Sequence, residues 1–507
     1  MVIACPVLLA PSVRLFGMDI VGRHYDPFIV MEQFERPISI GGVYSQPVTD
    51  VTGAMIARIS GAVPAYNWLI LVTFPAAAAA AYALARHLAL SRPGAAFAAM
   101  AYAFAPFHLA HAAYHPHIAQ TQWIAVYLLA LWRCLDEASP GAVAFLGVAT
   151  LTVTLSNFYG GLIAAVITPV AVAAYGLMPD RPNARSMRAL SITLLTLAII
   201  AAAGLVYVAY AARTVVVDRT AFAFPREDLF RYSAKWWSYL VPPVEHPLLG
   251  TAVRRFWAWV GVREGLLEQQ VSLGWGVVAL GLVAVFRWLV RDRRTASLAC
   301  APVLVVVAAA ALVCSLSPER PIVHGFTFVR PSALLYRVVP MFRAYARFGV
   351  VVQLMAALLA GVGVDFLLVA GTRRARVVCL AFVTLAAVEY AVRPSAMWRD
   401  VLPTAAHRWV AQQPGDVRAL DCTPFGQESE SVQWLTHYRI ALLGWPIGTC
   451  EDAELVHKLA AGGYTHLIVR RDSAAASSFS DRAAPKGLAL VARFSDGQVF
   501  AVTEGLP

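Results

Sequence analysis

A run of about 20 apolar residues crosses the hydrocarbon core of a bilayer as one helix, since no water is present there to satisfy an open backbone. Such runs recur along this chain, at roughly 2–16, 66–85, 94–110, 120–135, 141–157, 161–178, 190–210, 272–290, 297–316, 348–370 and 377–392. They predict an all-α polytopic membrane protein of about eleven transmembrane helices. Composition agrees: the chain is 59% hydrophobic and 14% charged, whereas a soluble domain carries about 25% charged residues. Its polar side chains are too few to cover a globule of 507 residues. The first run is short. A cleaved signal peptide is its rival reading, disfavoured because no basic segment precedes it and no small-residue cleavage site is clear. The missing flank suggests a start that is truncated or set late.

Orientation follows from arginine. Counted in order, the runs leave Arg86, Arg92, Arg133, Arg181, Arg185, Arg188, Arg287, Arg291, Arg293, Arg294, Arg373, Arg374 and Arg376 in loops on one side. Short basic loops face the cytoplasm, so the N-terminus is expected inside. The long segments 17–65, 211–271, 317–347 and 393–507 are then expected outside. The same flanking arginines account for the formal charge of +11, and no nucleic-acid partner is expected. Two domains follow: a membrane body over 1–392 and an extracytoplasmic α/β domain over 393–507. In the latter, Thr404 reads as the N-cap of a helix over 404–413. Segments 417–421 and 465–470 read as strands, and 451–461 as a helix stopped by Gly462-Gly463. Asp496-Gly497 joins 488–494 and 498–502 as a hairpin. Cys5, Cys134, Cys300, Cys314 and Cys379 fall in or beside the runs, where cysteine is a small buried hydrophobe. Cys422 and Cys450 are the pair in the outer domain, and an oxidising compartment permits a disulfide between them. No spacing matches a structural zinc site.

Three polar clusters stand out at the expected outer boundary. The first loop carries Asp19 and, between aromatics and before a proline, Asp26 in Tyr25-Asp26-Pro27. A carboxylate there is a candidate general base or metal ligand, against the alternative of a solvated loop acid. The apolar stretch 28–34 beside it reads as an interfacial helix, and Asp50 is a weaker third acid. The second cluster is His108, His111, His115 and His117; the first three share one face of a helix that Pro116 ends. They are candidates for binding phosphate, sugar or metal, against the alternative of a wet helix end. The third is Arg343 and Arg347, one helical turn apart and placed against the positive-inside trend. They could clamp a phosphate or pyrophosphate, or simply anchor in the headgroups. The stretches from Phe222 to Asp228 and from Lys235 to Trp237 lie in the segment 211–271, where aromatics serve an interfacial belt or stack sugars. No glycine-rich loop for a soluble nucleotide cofactor is present.

Four of these features together resemble the bacterial GT-C superfamily of integral membrane glycosyltransferases, in its branch with a C-terminal periplasmic domain. They are the acidic loop around Tyr25-Asp26-Pro27, the stretch from Ala103 through His111 into Gln120-Thr121-Gln122-Trp123, the segment Val339 to Phe348, and the ending Gly463-Tyr464-Thr465-His466 with its Asp-Gly hairpin. The family often shows paired acids in the first loop, whereas here they are split between Asp19 and Asp26. The resemblance implies a multi-pass protein of the bacterial inner membrane that moves a sugar from a polyprenyl-phosphate carrier to a lipid, glycan or protein acceptor. Asp26, alternatively Asp19, would be the base. Arg343 and Arg347 would face the phosphate, and His108, His111 and His115 would line the cavity. A divalent metal is compatible with such a site. The competing reading is a lipid or polysaccharide translocation or assembly factor on the same scaffold, or a structural partner. Asp365 and Glu389, near the ends of their runs, are poorly placed as proton relays.

Overall fold

A computed structural model of the chain describes residues 19–21, 31, 34, 46–137, 139–176, 178, 187–211, 223–262, 264–290, 295–323, 326–391, 398–400, 404–424, 439–443, 447, 449–452, 454–471, 473–477, 479 and 486–503. Among these residues, eight helices come first: α1 (Pro47–Ser60), α2 (Ala62–His87), α3 (Arg92–Ala103), α4 (Pro106–Tyr114), α5 (Gln122–Glu137), α6 (Pro140–Ser156), α7 (Phe158–Tyr175) and α8 (Met187–Ala211). Seven follow: α9 (Arg226–Arg231), α10 (Gly250–Trp259), α11 (Trp275–Leu289), α12 (Ala301–Ser315), α13 (Pro331–Val338), α14 (Gly349–Val369) and α15 (Arg373–Glu389). Among the described residues, Ala62–His87, Phe158–Tyr175, Met187–Ala209, Ala296–Ser315 and Tyr345–Val369 are long and apolar enough to cross a membrane, and α6 and α11 are shorter apolar helices. The chain is an integral membrane protein. The other expected runs fall on α3, α4, α5 and α15, which are shorter than 18 residues; the run 2–16 lies outside the described residues.

Burial sorts these helices. In the central helix α14, 89% of the apolar window is buried, whereas in α8 the figure is 17%. Helix α14 packs against α3, α11 and α12, and α8 presents its apolar surface outward. Close approach to α14 is set by glycine. A Cβ on Gly94 of α3 would stand 2.5 Å from Gly361 O, and one on Gly363 would stand 2.1 Å from Leu280 O of α11.

The two acids at the ends of α14 and α15 are structural. Asp365 accepts from Ser91 N at 2.8 Å and also from the Ser91 hydroxyl, at the N-terminus of α3. Glu389 accepts from Trp275 N at 2.8 Å and Gly276 N at 2.9 Å, at the N-terminus of α11. Each carboxylate satisfies N–H groups that no helical carbonyl can reach, and its charge opposes the helix dipole.

The C-terminal residues form helices α16 (Ala405–Ala411) and α17 (Leu455–Ala461) with a five-stranded sheet of β5 (Ala419–Pro424), β6 (Ile440–Leu443), β7 (His466–Arg470), β8 (Leu488–Arg493) and β9 (Gly497–Val502). The order is β6-β5-β7-β9-β8; β5 runs parallel to β6 and β7, and β9 antiparallel to β7 and β8. Leu420, Leu459, Leu467 and Phe500 are buried on one face, and Val410, Ile440, Ile468 and Val499 on the other. Thr404 caps α16 by accepting from His407 N at 3.3 Å. A disulfide joins Cys422 to Cys450. Two short ribbons complete the chain in sequence: β2 (Glu319–Val323) pairs with β3 (Phe326–Val329), and β1 (Asp19–Val21) pairs antiparallel with β4 (Trp398–Asp400), Asp19 opposite Asp400.

Candidate active site

The site begins at a break. The expected run 94–110 is two helices, because Pro106 removes a backbone donor and keeps Ala105 out of the helical region, at φ −55°, ψ 143°. Helix α4 restarts there and carries His111 inward, and His115 closes the helix by donating its N–H to His111 O at 2.7 Å. The two imidazoles stack with centroids 5.4 Å apart and Nδ1 atoms 3.2 Å apart. One Nδ1 donates and the other accepts, so both rings cannot be protonated together. Burial, followed by the charges of His115 and Arg347, holds His111 well below the usual imidazole pKa.

Facing His111 is Glu268, in the turn ahead of α11. It is 4% exposed, and its Oε2 stands 3.9 Å from His111 Nε2. Its Oε1 accepts from Arg347 Nε at 3.1 Å and Nη2 at 2.8 Å. Gln269 and Gln270 fix the same turn: Gln269 accepts from Ser238 Oγ at 2.7 Å and Gln270 accepts from Val244 N at 3.0 Å. One ligand-type atom from each of His111, His115 and Glu268 lies within 4.8 Å of the others.

Arg347 belongs to a 3-10 turn, Tyr345–Phe348, directly before α14. Its guanidinium lies 4.2 Å from the Tyr159 ring centroid. The Tyr159 hydroxyl accepts from Arg343 N at 3.1 Å and Ala344 N at 3.2 Å, which ties α7 to this turn. Arg343 takes another direction. It donates to Asp228 at 2.8 Å and lies over Phe224 at 4.2 Å and Tyr232 at 4.9 Å. The two arginines are thus paired with different acids of the segment 211–271.

The four histidines separate. His111 and His115 join Glu268 and Arg347, while His108 turns toward α2. There its Nε2 is 2.8 Å from Thr73 Oγ1, its Nδ1 is 2.8 Å from Ala103 O, and its ring stacks on Phe74 at 4.3 Å. It is a core residue and not part of the His111 cluster. His117 pairs with Asp50 at 2.8 Å, and Asp50 also accepts from Gln46 N at 2.8 Å. Asp50 thereby fixes the start of α1, whose Thr49 donates to Ser156 O at 2.8 Å. Asp26 lies outside the described residues, and Asp19 is placed only as a backbone position in β1.

Beside the cluster, a narrow cleft is lined by Gln120, Trp123, Asn157, Tyr159 and Arg347. Gln120 and Trp123 also wall an apolar cavity of about 300 Å³, which Thr52, Ile56, Trp68 and Val72 of α1 and α2 line as well. A cation, amide and hydroxyl groups at one end and an apolar slot at the other suit an amphipathic ligand with an anionic head. Sequence reasoning missed Glu268 and Tyr159. The signal for the first was Glu268-Gln269-Gln270, three long polar residues immediately before an apolar run; for Tyr159 there was none.

Solved structures are similar to this chain. Arabinofuranosyltransferase AftD from Mycobacteria aligns with 99% of this chain and 40% of its own at 14% identity and TM-score 0.51. The apo oligosaccharyltransferase from Archaeoglobus fulgidus aligns with 92% of this chain and 68% of its own at 13% identity and TM-score 0.51. ArnT from Cupriavidus metallidurans, bound to undecaprenyl phosphate, aligns with 99% of this chain and 97% of its own at 14% identity and TM-score 0.46. On the AftD and oligosaccharyltransferase alignments, the chain has the fold of the GT-C membrane glycosyltransferases. No curated protein matches it by sequence. A family described as "Domain of unknown function (DUF6311)" matches residues 27–390, well over half of the chain, and to that family this protein belongs.

Proposed function

We propose that the protein is a glycosyltransferase that moves a sugar from a polyprenyl-phosphate carrier to an acceptor hydroxyl at the outer face of a bacterial inner membrane. The observation that carries the reading is that Gln120 and Trp123 line both the cleft holding Arg347 and the apolar cavity, so that a cation-bearing cleft and an apolar cavity share one wall. An isoprenoid phosphate has that polarity profile, a long apolar tail ending in an anion. The fold it shares with AftD and the archaeal oligosaccharyltransferase supports the reaction class. The Cys422–Cys450 disulfide favours an oxidising compartment for residues 393–507, in keeping with the arginine-rich loops lying in the cytoplasm. A proton-relay role gains no support from Asp365 and Glu389, since both carboxylates are engaged by backbone donors.

In this reading the acceptor oxygen attacks the anomeric carbon as its proton passes to Asp26, alternatively Asp19. The bond from that carbon to the phosphate oxygen breaks, and its electron pair leaves on the phosphate. Arg347 stabilises the growing charge, and Glu268 with the Tyr159 ring holds the guanidinium in place. Arg343 is a positioning residue that anchors the turn to Asp228.

The test is transfer from polyprenyl-phosphate sugars to a panel of acceptors by wild type, Asp26→Asn and Arg347→Ala. Loss of about 100-fold or more is expected for each variant. Equal transfer by Asp26→Asn removes Asp26 as base, and absence of transfer by the folded wild type from every donor overturns the assignment.

A further inference from the structure

Two buried electron-rich atoms face each other in the site. His111 Nε2 and Glu268 Oε2 are 3.9 Å apart, on side chains only 1% and 4% exposed. Neither atom has a hydrogen-bond partner among the described residues. The contact between the two Nδ1 atoms, at 3.2 Å, narrows the choices. If His111 donates to His115, its Nε2 carries a bare lone pair turned on a carboxylate oxygen. If His115 donates instead, the His111 proton sits on Nε2, and a separation of 3.9 Å is too long for it to reach Glu268. Neither tautomer satisfies the pair, and a cation between them does.

The distances suit one. A zinc-type ion binds imidazole nitrogen and carboxylate oxygen at about 2.0–2.2 Å, so two such atoms 3.9 Å apart can share it. His115 has a ligand-type atom within 4.8 Å of the other two, and it ligates by giving up its contact with His111 Nδ1 to the ion. Two imidazoles and one carboxylate favour zinc, cobalt or nickel over magnesium or calcium, which prefer an all-oxygen shell. Arg347 occupies Glu268 Oε1 through both Nε and Nη2. That contact orients the carboxylate and leaves Oε2 for the ion.

We propose that His111, His115 and Glu268 bind one divalent transition-metal ion of the zinc type. Three protein ligands leave a fourth position open to water or to a phosphate oxygen, the arrangement of catalytic rather than structural zinc.

The experiment uses the full chain in detergent, stripped with a chelator and titrated with Co²⁺ alone. Wild type is expected to bind one Co²⁺ per chain, with visible absorption bands that Zn²⁺ displaces. His111→Ala and Glu268→Gln should lose the bands, while His117→Ala keeps them. His115 is half-buried, so His115→Ala removes a ligand with least disturbance to packing; it should weaken binding at least about tenfold, and it decides the matter if the other two variants fail to fold. A folded, stripped wild type that takes up no Co²⁺, or a His115→Ala variant that binds as wild type does, overturns the proposal. No sugar donor is present, so this result stands apart from the transferase reading.

Discussion

His111 shows how far a single side chain could be understood before its surroundings were known. Its place in a crowded histidine segment marked it as unusual, and so did the two arginines placed against the charge trend. What could not be read was which histidine goes where. His108, His111 and His115 share a helical face in projection, but α4 is short and its ends point differently. The ring of His108 is taken up by Thr73 and Phe74 of α2, and that of His111 by His115. The acids that partner Arg343 and Arg347 were equally hidden, because Asp228 and Glu268 are distant in sequence and only folding brings them near. One consequence concerns acid. Burial holds the folded His111 pKa well below 6.5, whereas the unfolded chain takes up that proton near 6.5. The unfolded state therefore binds more protons as pH falls, and the contribution is complete above about 6.5 and lost below it. After stripping with a chelator, the unfolding free energy of wild type should fall on going from about pH 6.5 to 5 by up to about 1.4 kcal/mol per unit more than that of His111→Gln. Parallel pH profiles for the two would refute this.

Elements followed the sequence where one local signal dominated. Apolar length located α2, α7, α8, α12 and α14, and Asp496-Gly497 located the β8–β9 hairpin. Thr404 capped α16 as its position foretold. Of the features that escaped, α1, the α3–α4 break and β6 have plain physical reasons. Helix α1 has no apolar run to announce it; its start is set by Pro47 and by Asp50, which reaches back to Gln46 N. The break between α3 and α4 was signalled by Pro106 but masked by continuous hydrophobicity. Strand β6 is 4 residues long and exists through its pairing with β5. The carboxylate caps belong to this scale, since Glu389 of α15 serves the first two N–H groups of α11. Glu389→Ala leaves those donors buried and unpaired and should destabilise the folded protein by about 1–3 kcal/mol. Glu389→Gln, which keeps an acceptor, should cost less. Unfolding midpoints in one detergent would rank the three proteins, and equal midpoints would deny the cap its role.

At the scale of the molecule, a membrane fold with an appended C-terminal sheet was legible from the alternation of apolar runs and polar segments. The arrangement of helices around α14 was not, because helix packing depends on close approaches such as Gly94 to Gly361 that no hydropathy pattern records. Stability at this scale rests partly on the covalent link between Cys422 and Cys450, which spans 28 residues. Replacing both by serine should lower the stability of the C-terminal sheet by about 2–4 kcal/mol. The readout is limited proteolysis across 404–503, and mapping that finds both thiols unoxidised in the native protein would remove the basis for that figure. The small ribbon of β1 and β4 has a consequence in time. It pairs Asp19 with Asp400, residues that flank every helix from α1 to α15 in the sequence. Strand β1 must therefore wait through the synthesis of every helix from α1 to α15 before its partner leaves the ribosome. A nascent chain arrested before Trp398 would hold the helices without strand β1 paired.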